Sequence, residues 1–143
     1  MTQKKIKARS LKKNAGKIPD KQPQYDDEVI FSFKYLDLFS NPKFSIAGCG
    51  YSYLEKLLLR LKDVSSIRYD DFVNMRSSSL RSHKITWEET TEPDGFTNLN
   101  SQLREQTAFQ FEISANEHGR VHGFLLNRIF YIVWLDPHHN LYS

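Results

Sequence analysis

The sequence predicts an α+β domain, with two helices packed on one face of a small, mainly antiparallel sheet, in the order β-α-α-β-β-β-β. Three observations carry this expectation. An early strand-like run leads into a strongly amphipathic helical stretch, a shorter helical stretch follows, and the last third of the chain crowds three strand-like runs together with short links.

The first strand is expected at Val29–Leu38, where Phe31, Phe33, Tyr35 and Asp37 alternate with Ile30, Ser32, Lys34, Leu36 and Leu38. Its Phe-rich side is expected against a helix. Asn41-Pro42 and Gly48-Cys49-Gly50 then mark an irregular connection. In Tyr51–Val64, Tyr51, Leu54, Leu57, Leu58, Leu61 and Val64 recur at helical spacing, with Glu55, Lys56, Arg60 and Lys62 mostly opposite. Burying its leucines, at roughly 1.5–3 kcal/mol each, makes this helix the anchor of the fold. Ser66 can cap a second helix whose first turn holds Asp70 and Asp71, near the positive end of the helix dipole. Leu80–Trp87 alternates weakly, as a short strand does. Glu88–Leu103, interrupted by Pro93 and Gly95, is expected as a long loop with room for one turn of helix. The final strands are expected around Ala108–Ser114, Arg120–Leu126 and Phe130–Asp136. The last two join through Leu126-Asn127-Arg128, where Asn tolerates positive φ.

Charge divides the 143 residues unevenly. Residues 1–21 carry eight basic side chains against Asp20 alone, a net +7, and the remainder is net −4, which together give the overall +3. Residues 1–24 are therefore expected to form a disordered basic tail that can attract polyanions, and residues 25–143 a single domain. With the whole chain 39% apolar and 13% aromatic, that domain can bury one core. The longest apolar run, Ile129 to Leu135, falls far short of the ~20 residues that span a bilayer, and no apolar leader opens the chain. A single cysteine, Cys49, fits a reducing compartment, so a cytoplasmic location without membrane partners is expected.

Arg120 and His122 alternate with Phe124 on one expected sheet face. A guanidinium clamps phosphate oxygens, and an aromatic ring stacks a base. Pro137 ends the last strand and holds His138, His139 and Tyr142 near the sheet edge. Histidine exchanges protons near neutral pH, and tyrosine donates a proton or stacks; the spacing does not choose between His138 and His139. Arg81 and His83, on one side of the weak strand with Trp87, suit the wall of a substrate groove, and Lys84, pointing oppositely, is grouped with them as a substrate contact. The plainer alternatives are an Arg120–Glu117 ion pair, a His122 satisfied by backbone, a packed C-terminal turn and a charged, protected edge strand. No metal or other cofactor is expected. His118 and His122 have helical spacing in a segment that is not helical, and no second cysteine supplies a zinc site. Without a Walker sequence or a Gly-x-Ser-x-Gly elbow, nothing points to nucleotide hydrolysis or acyl transfer.

Phe109 to Ile113, Glu117-His118-Gly119-Arg120, the Leu126–Arg128 turn and the terminal His138 or His139 with Tyr142 together resemble the RelE/YoeB-type toxins, small ribonucleases of bacterial toxin–antitoxin systems. The resemblance covers roughly residues 109–142. It departs from the family in the extra Gly119, in the separation of the terminal His from Tyr142, in the inserted Pro137 and in the long basic tail. It implies metal-independent endoribonuclease activity in which the RNA 2′-hydroxyl attacks the neighbouring phosphodiester. Arg120 would steady the phosphorane, His138 or His139 would carry the proton, and Tyr142 would stack or donate. Arg81, His83, His122 and Lys84 would be substrate contacts. It also implies messenger RNA, in some cases ribosome-bound, as substrate and a small antitoxin as partner. Two alternatives stand beside it. One is a non-catalytic nucleic-acid-binding or protein-interaction module of a phage or mobile element, whose basic tail carries the affinity. The other is an inhibitor acting through the acidic 88–105 loop.

Overall fold

The computed structural model describes residues 28–74, 81–114 and 119–142; the basic tail and the Glu117-His118 pair lie outside them. Within these residues the chain is α+β, with a five-stranded mixed sheet and three short to medium helices. The sheet grows from its most apolar segment. Arg120–Leu126 (β4) and Ile129–Asp136 (β5) form a hairpin whose Asn127 and Arg128 both take positive φ, 53° and 67°, the backbone that a two-residue turn between twisted strands requires. Ala108–Glu112 (β3) adds antiparallel to β4, and His83–Lys84 (β2) adds antiparallel to β3. Ile30–Ser32 (β1) closes the other edge parallel to β5, giving the order β1-β5-β4-β3-β2.

Strand alternation sorts the residues between two cores. One side of the sheet gives Phe109, Phe111, Ile113, Val121, Leu125, Phe130, Ile132 and Leu135 to a cluster with the helix Tyr51–Val64 (α1) and Phe72 of the helix Tyr69–Val73 (α2). The other side carries Ala108, Phe124, Val133 and Trp134, covered by Phe44, Ile85, Phe96 and Leu141. A bulge between His122 and Gly123 shifts the β4–β5 register there. At Gly123 an added Cβ would lie 2.1 Å from the Tyr131 carbonyl oxygen, so only glycine allows this approach.

Several local expectations are corrected. The strand expected over Val29–Leu38 pairs for only three residues, because the chain turns at Phe33–Leu36 (Leu36 N–H to Phe33 O, 3.1 Å) and crosses the sheet. Phe33 is consequently exposed, and only Phe31 of that side packs into the helix-covered core. Helix α1 spans the expected residues but is rotated. Tyr53, Leu57, Leu61 and Val64 are buried, while Tyr51 and Leu58 face outward. Helix α2 starts after Arg68 rather than from a Ser66 cap. The strand expected over Leu80–Trp87 is two residues long, and Trp87 opens a 3₁₀ turn that packs over Trp134. Between β2 and β3 the long loop does contain one turn of helix, Ser101–Arg104 (α3), capped by the Asn100 side chain on the Leu103 N–H. Among the described residues, no helix is long and apolar enough to cross a membrane.

Candidate functional site

On the side of the sheet away from α1, polar residues replace apolar ones at the β5-to-β2 end. Gln110 and Glu112 of β3 stand directly opposite His122 and Arg120 of β4, and His83 of β2 stands opposite Gln110. Where β5 ends, the chain folds back over this corner. The result is a cleft of about 320 Å³ lined by Arg81, His83, Gln110, Glu112, Arg120, His139 and Tyr142.

Two guanidinium groups share one buried carboxylate. Arg120 Nη2 lies 2.9 Å and Arg81 Nη1 3.3 Å from Glu112 Oε1. Arg120 is largely enclosed, with its side chain 12% exposed, and Nη1 donates to the Gly119 carbonyl at 3.1 Å. Arg81 is 66% exposed and reaches over the rim. Burial pulls the Arg120 pKa down from the arginine value, Glu112 opposes it, and the group remains a cation at any physiological pH. The structure therefore supplies one enclosed and one exposed cation. His83 Nδ1 lies 2.9 Å from the Lys84 carbonyl oxygen, which only an Nδ1–H can satisfy, so Nε2 is the acceptor of the 2.7 Å bond from the Gln110 amide. The ring is thus held with Nε2 toward Gln110 on the cleft floor.

Asp136 positions the other wall. Its carboxylate accepts from Asn140 N–H (2.7 Å), Leu141 N–H (3.1 Å) and His122 Nε2–H (2.9 Å), which pins the turn that carries His139 and Tyr142. Thr91 holds the same turn from outside, its N–H and hydroxyl donating to the Leu141 and Asn140 carbonyls, both at 2.8 Å. Burial alone would raise the Asp136 pKa, but these hydrogen bonds outweigh it and the carboxyl is held below the usual aspartate value. The Tyr142 ring sits 6.0 Å from both the His83 and His139 rings, and its oxygen lies 3.4 Å from the Thr86 N–H. Burial pushes the Tyr142 phenol up, so it is a proton-bearing group near neutrality. His139 adopts φ 56° and Arg81 φ 51°. Of the four non-glycine positive-φ residues among those described, two make the hairpin turn and the other two both line the cleft. Strained backbone of this kind persists where a side chain must be aimed.

Five of the residues singled out from sequence therefore meet in one cleft: Arg81, His83, Arg120, His139 and Tyr142. Three do not. His122 shares the sheet face of Arg120, as alternation requires, but it is fully buried under the Phe44 ring and bonded to Asp136, so it is no substrate contact. Burial lowers its pKa despite that bond, which keeps it neutral. Lys84 is exposed on the other side of β2, and His138 points to solvent off the turn, outside the cleft lining. Arg120 does form an ion pair, with Glu112; Glu117 lies outside the described residues. Gln110, Glu112 and Asp136 escaped the sequence reading. The signal for the first two was present, since they are the polar positions of an otherwise apolar strand and share one face. Among the described residues, no group of three His, Cys, Asp or Glu side chains is arranged to hold a metal ion. No protein-family model, curated protein or solved structure matches the chain.

Proposed function

We propose that this cleft binds single-stranded RNA and cleaves it by attack of a 2′-hydroxyl on the adjacent phosphodiester, without a metal. The observation that supports this most is the convergence of two arginines, two histidines and a tyrosine, from three separate segments, on one 320 Å³ cleft. In-line transesterification needs a base for the 2′ proton, an acid for the departing 5′ oxygen and cations for the charge on the phosphorane. His83 takes the 2′ proton on Nε2 once the hydroxyl displaces the Gln110 amide. His139 protonates the 5′ oxygen, which leaves a 2′,3′-cyclic phosphate. Arg120, fixed by Glu112, and Arg81, exposed at the rim, hold the non-bridging oxygens, and Tyr142 stacks a base between the two imidazoles. His139 is preferred to His138 because of its place in the cleft. On this reading the chain is a divergent relative of the RelE/YoeB-type toxins that carries the additional helix α3. A small antitoxin protein is then the expected partner and ribosome-associated messenger RNA a possible substrate.

A non-catalytic nucleic-acid-binding module is the second reading. It is favoured by one feature: Glu112 already neutralises part of the cleft's positive charge. End-labelled RNA incubated with purified protein separates the two. Cleavage to 2′,3′-cyclic ends, lost in His139→Ala, retained in His138→Ala and blocked by a single 2′-deoxy residue at the scissile position, supports catalysis. Equal cutting of the 2′-deoxy substrate, or binding of intact RNA by a protein that never cleaves it, overturns catalysis.

A further inference from the structure

The cleft floor holds polar atoms that the phosphate chemistry does not use. Gln110 is 3% and Glu112 4% exposed, and Gln110 Oε1 and Glu112 Oε2 have no hydrogen-bond partner among the described residues. Both are acceptors. In the unliganded cleft the Gln110 amide nitrogen bonds His83 Nε2, which makes Oε1 its unpartnered end, and Glu112 Oε1 is taken by the two arginines, which leaves Oε2 over. A buried acceptor without a donor costs free energy comparable to a lost hydrogen bond, so the pair marks a place where a ligand's donors belong. Alternation puts the two side chains on one face of β3, stems about 7 Å apart along the strand. Two acceptor heads on such stems, drawn toward one donor, suit a planar nitrogen bearing two hydrogens, because two N–H···O bonds of about 2.9 Å diverging at the sp² angle reach acceptors about 5 Å apart. An alcohol has one hydrogen to give and a phosphate at neutral pH none to spare. The neighbouring donors, Arg81 and Arg120, lie beside the acceptors and would meet the phosphate of the same nucleotide.

Resting on the RNA reading above, we propose that Gln110 and Glu112 form a base-recognition subsite that takes the exocyclic amino group of adenine, cytosine or guanine and disfavours uracil, which has none. A site built around hydrogen bonds rejects an analogue that cannot make them, because its own polar groups are then left unpaired. Recognition and chemistry are adjacent here, since the amide that reads the base is the one that holds His83. A bound amino group thus sits next to the base nitrogen that receives the 2′ proton.

The test is equilibrium binding, by fluorescence anisotropy, of labelled oligocytidylate and oligouridylate of equal length to the unaltered full chain, with oligoguanylate-to-oligoinosinate replacement in a mixed-sequence RNA as the second comparison. Each pair differs in the amino group (with uracil also exchanging a ring N–H), while the phosphates are the same. The expected result is at least about tenfold tighter binding of the amino-bearing member, reduced to under about threefold in Gln110→Leu with folding checked by circular dichroism. RNA binding with equal affinity for both members of each pair overturns the subsite while leaving the cleft reading intact. Failure to bind RNA of any composition overturns the cleft reading and the subsite together. The comparisons on unaltered protein decide the matter even if Gln110→Leu does not fold.

Discussion

Replacing Asp136 by asparagine tests the structural logic of the site most sharply, because the side chain barely changes shape. The carboxylate accepts three bonds, from His122 Nε2–H and from the Asn140 and Leu141 N–H groups, and Asp136 and His122 are both fully buried. In either amide orientation of the asparagine, at least one of these donors faces an NH₂ group, and all three lose the help of the negative charge. Hydrogen bonds to charged groups contribute about 1.5–3 kcal/mol each, so a loss of about 3 kcal/mol is expected. Urea unfolding followed by the fluorescence of the two tryptophans measures it. The same change should loosen the turn that carries His139 and Tyr142, so RNA cleavage should fall by at least about a hundredfold, about 2.7 kcal/mol of barrier, even well below the unfolding midpoint. A stability loss under about 1 kcal/mol, with cleavage intact, would refute the role assigned to Asp136.

Four other outcomes follow from the same geometry. Acidification should destabilise the fold in two stages. The folded pKa of His122 lies below its ordinary 6.5, so stability falls as pH drops below about 6.5, and Asp136, also lowered, adds a further loss below about pH 4; urea midpoints between pH 7.5 and 3.5 show both, and His122→Phe should lack the upper stage. His139→Gly relieves a φ of 56° while removing the imidazole, so stability should stay within about 1 kcal/mol of wild type as cleavage is lost. Tyr53→Phe deletes the 2.7 Å bond from its hydroxyl to the Arg120 carbonyl and should cost about 1 kcal/mol in the same unfolding assay. Gly123→Ala places a methyl 2.1 Å from a backbone oxygen and should cost about 3 kcal/mol or more, visible as low soluble yield.

What the sequence made legible was governed by how local each cause is. Helix α1 could be bounded to the residue because its apolar spacing and flanking glycine are local, but its orientation could not. Leucines at 54, 57, 58, 59 and 61 leave two plausible faces, and the sheet chose the one that buries Tyr53. The hairpin turn was likewise written in Asn127. Arg81, His83, Arg120, His139 and Tyr142 could be picked out by chemistry, but their convergence depends on β2 pairing with β3 and on Asp136 drawing the C-terminal turn inward. His122 was misjudged for a related reason. Alternation places it correctly beside Arg120, yet the lid over it is made by Phe44 from far earlier in the chain, held by Asn41 and Lys43 to Glu92. Nothing near position 122 announces that cover.

The strand order has a consequence for how the molecule assembles. Strands β3, β4 and β5 pair with their neighbours in sequence, so the floor of the cleft can form from short chain loops. By contrast, β1 must return from the opposite end of the described chain to lie beside β5. Loop closure of that length is entropically slow, and contacts of high sequence separation dominate the folding barrier. The recognition floor should therefore acquire hydrogen-exchange protection ahead of the β1 edge during refolding. The two edges, the three-residue ladder of β1 and the two-residue ladder of β2, are also where the native sheet should first come open. Gln110, Glu112 and Arg120 sit on the inner strands β3 and β4, so a chain that has frayed at β1 would still present the cleft floor.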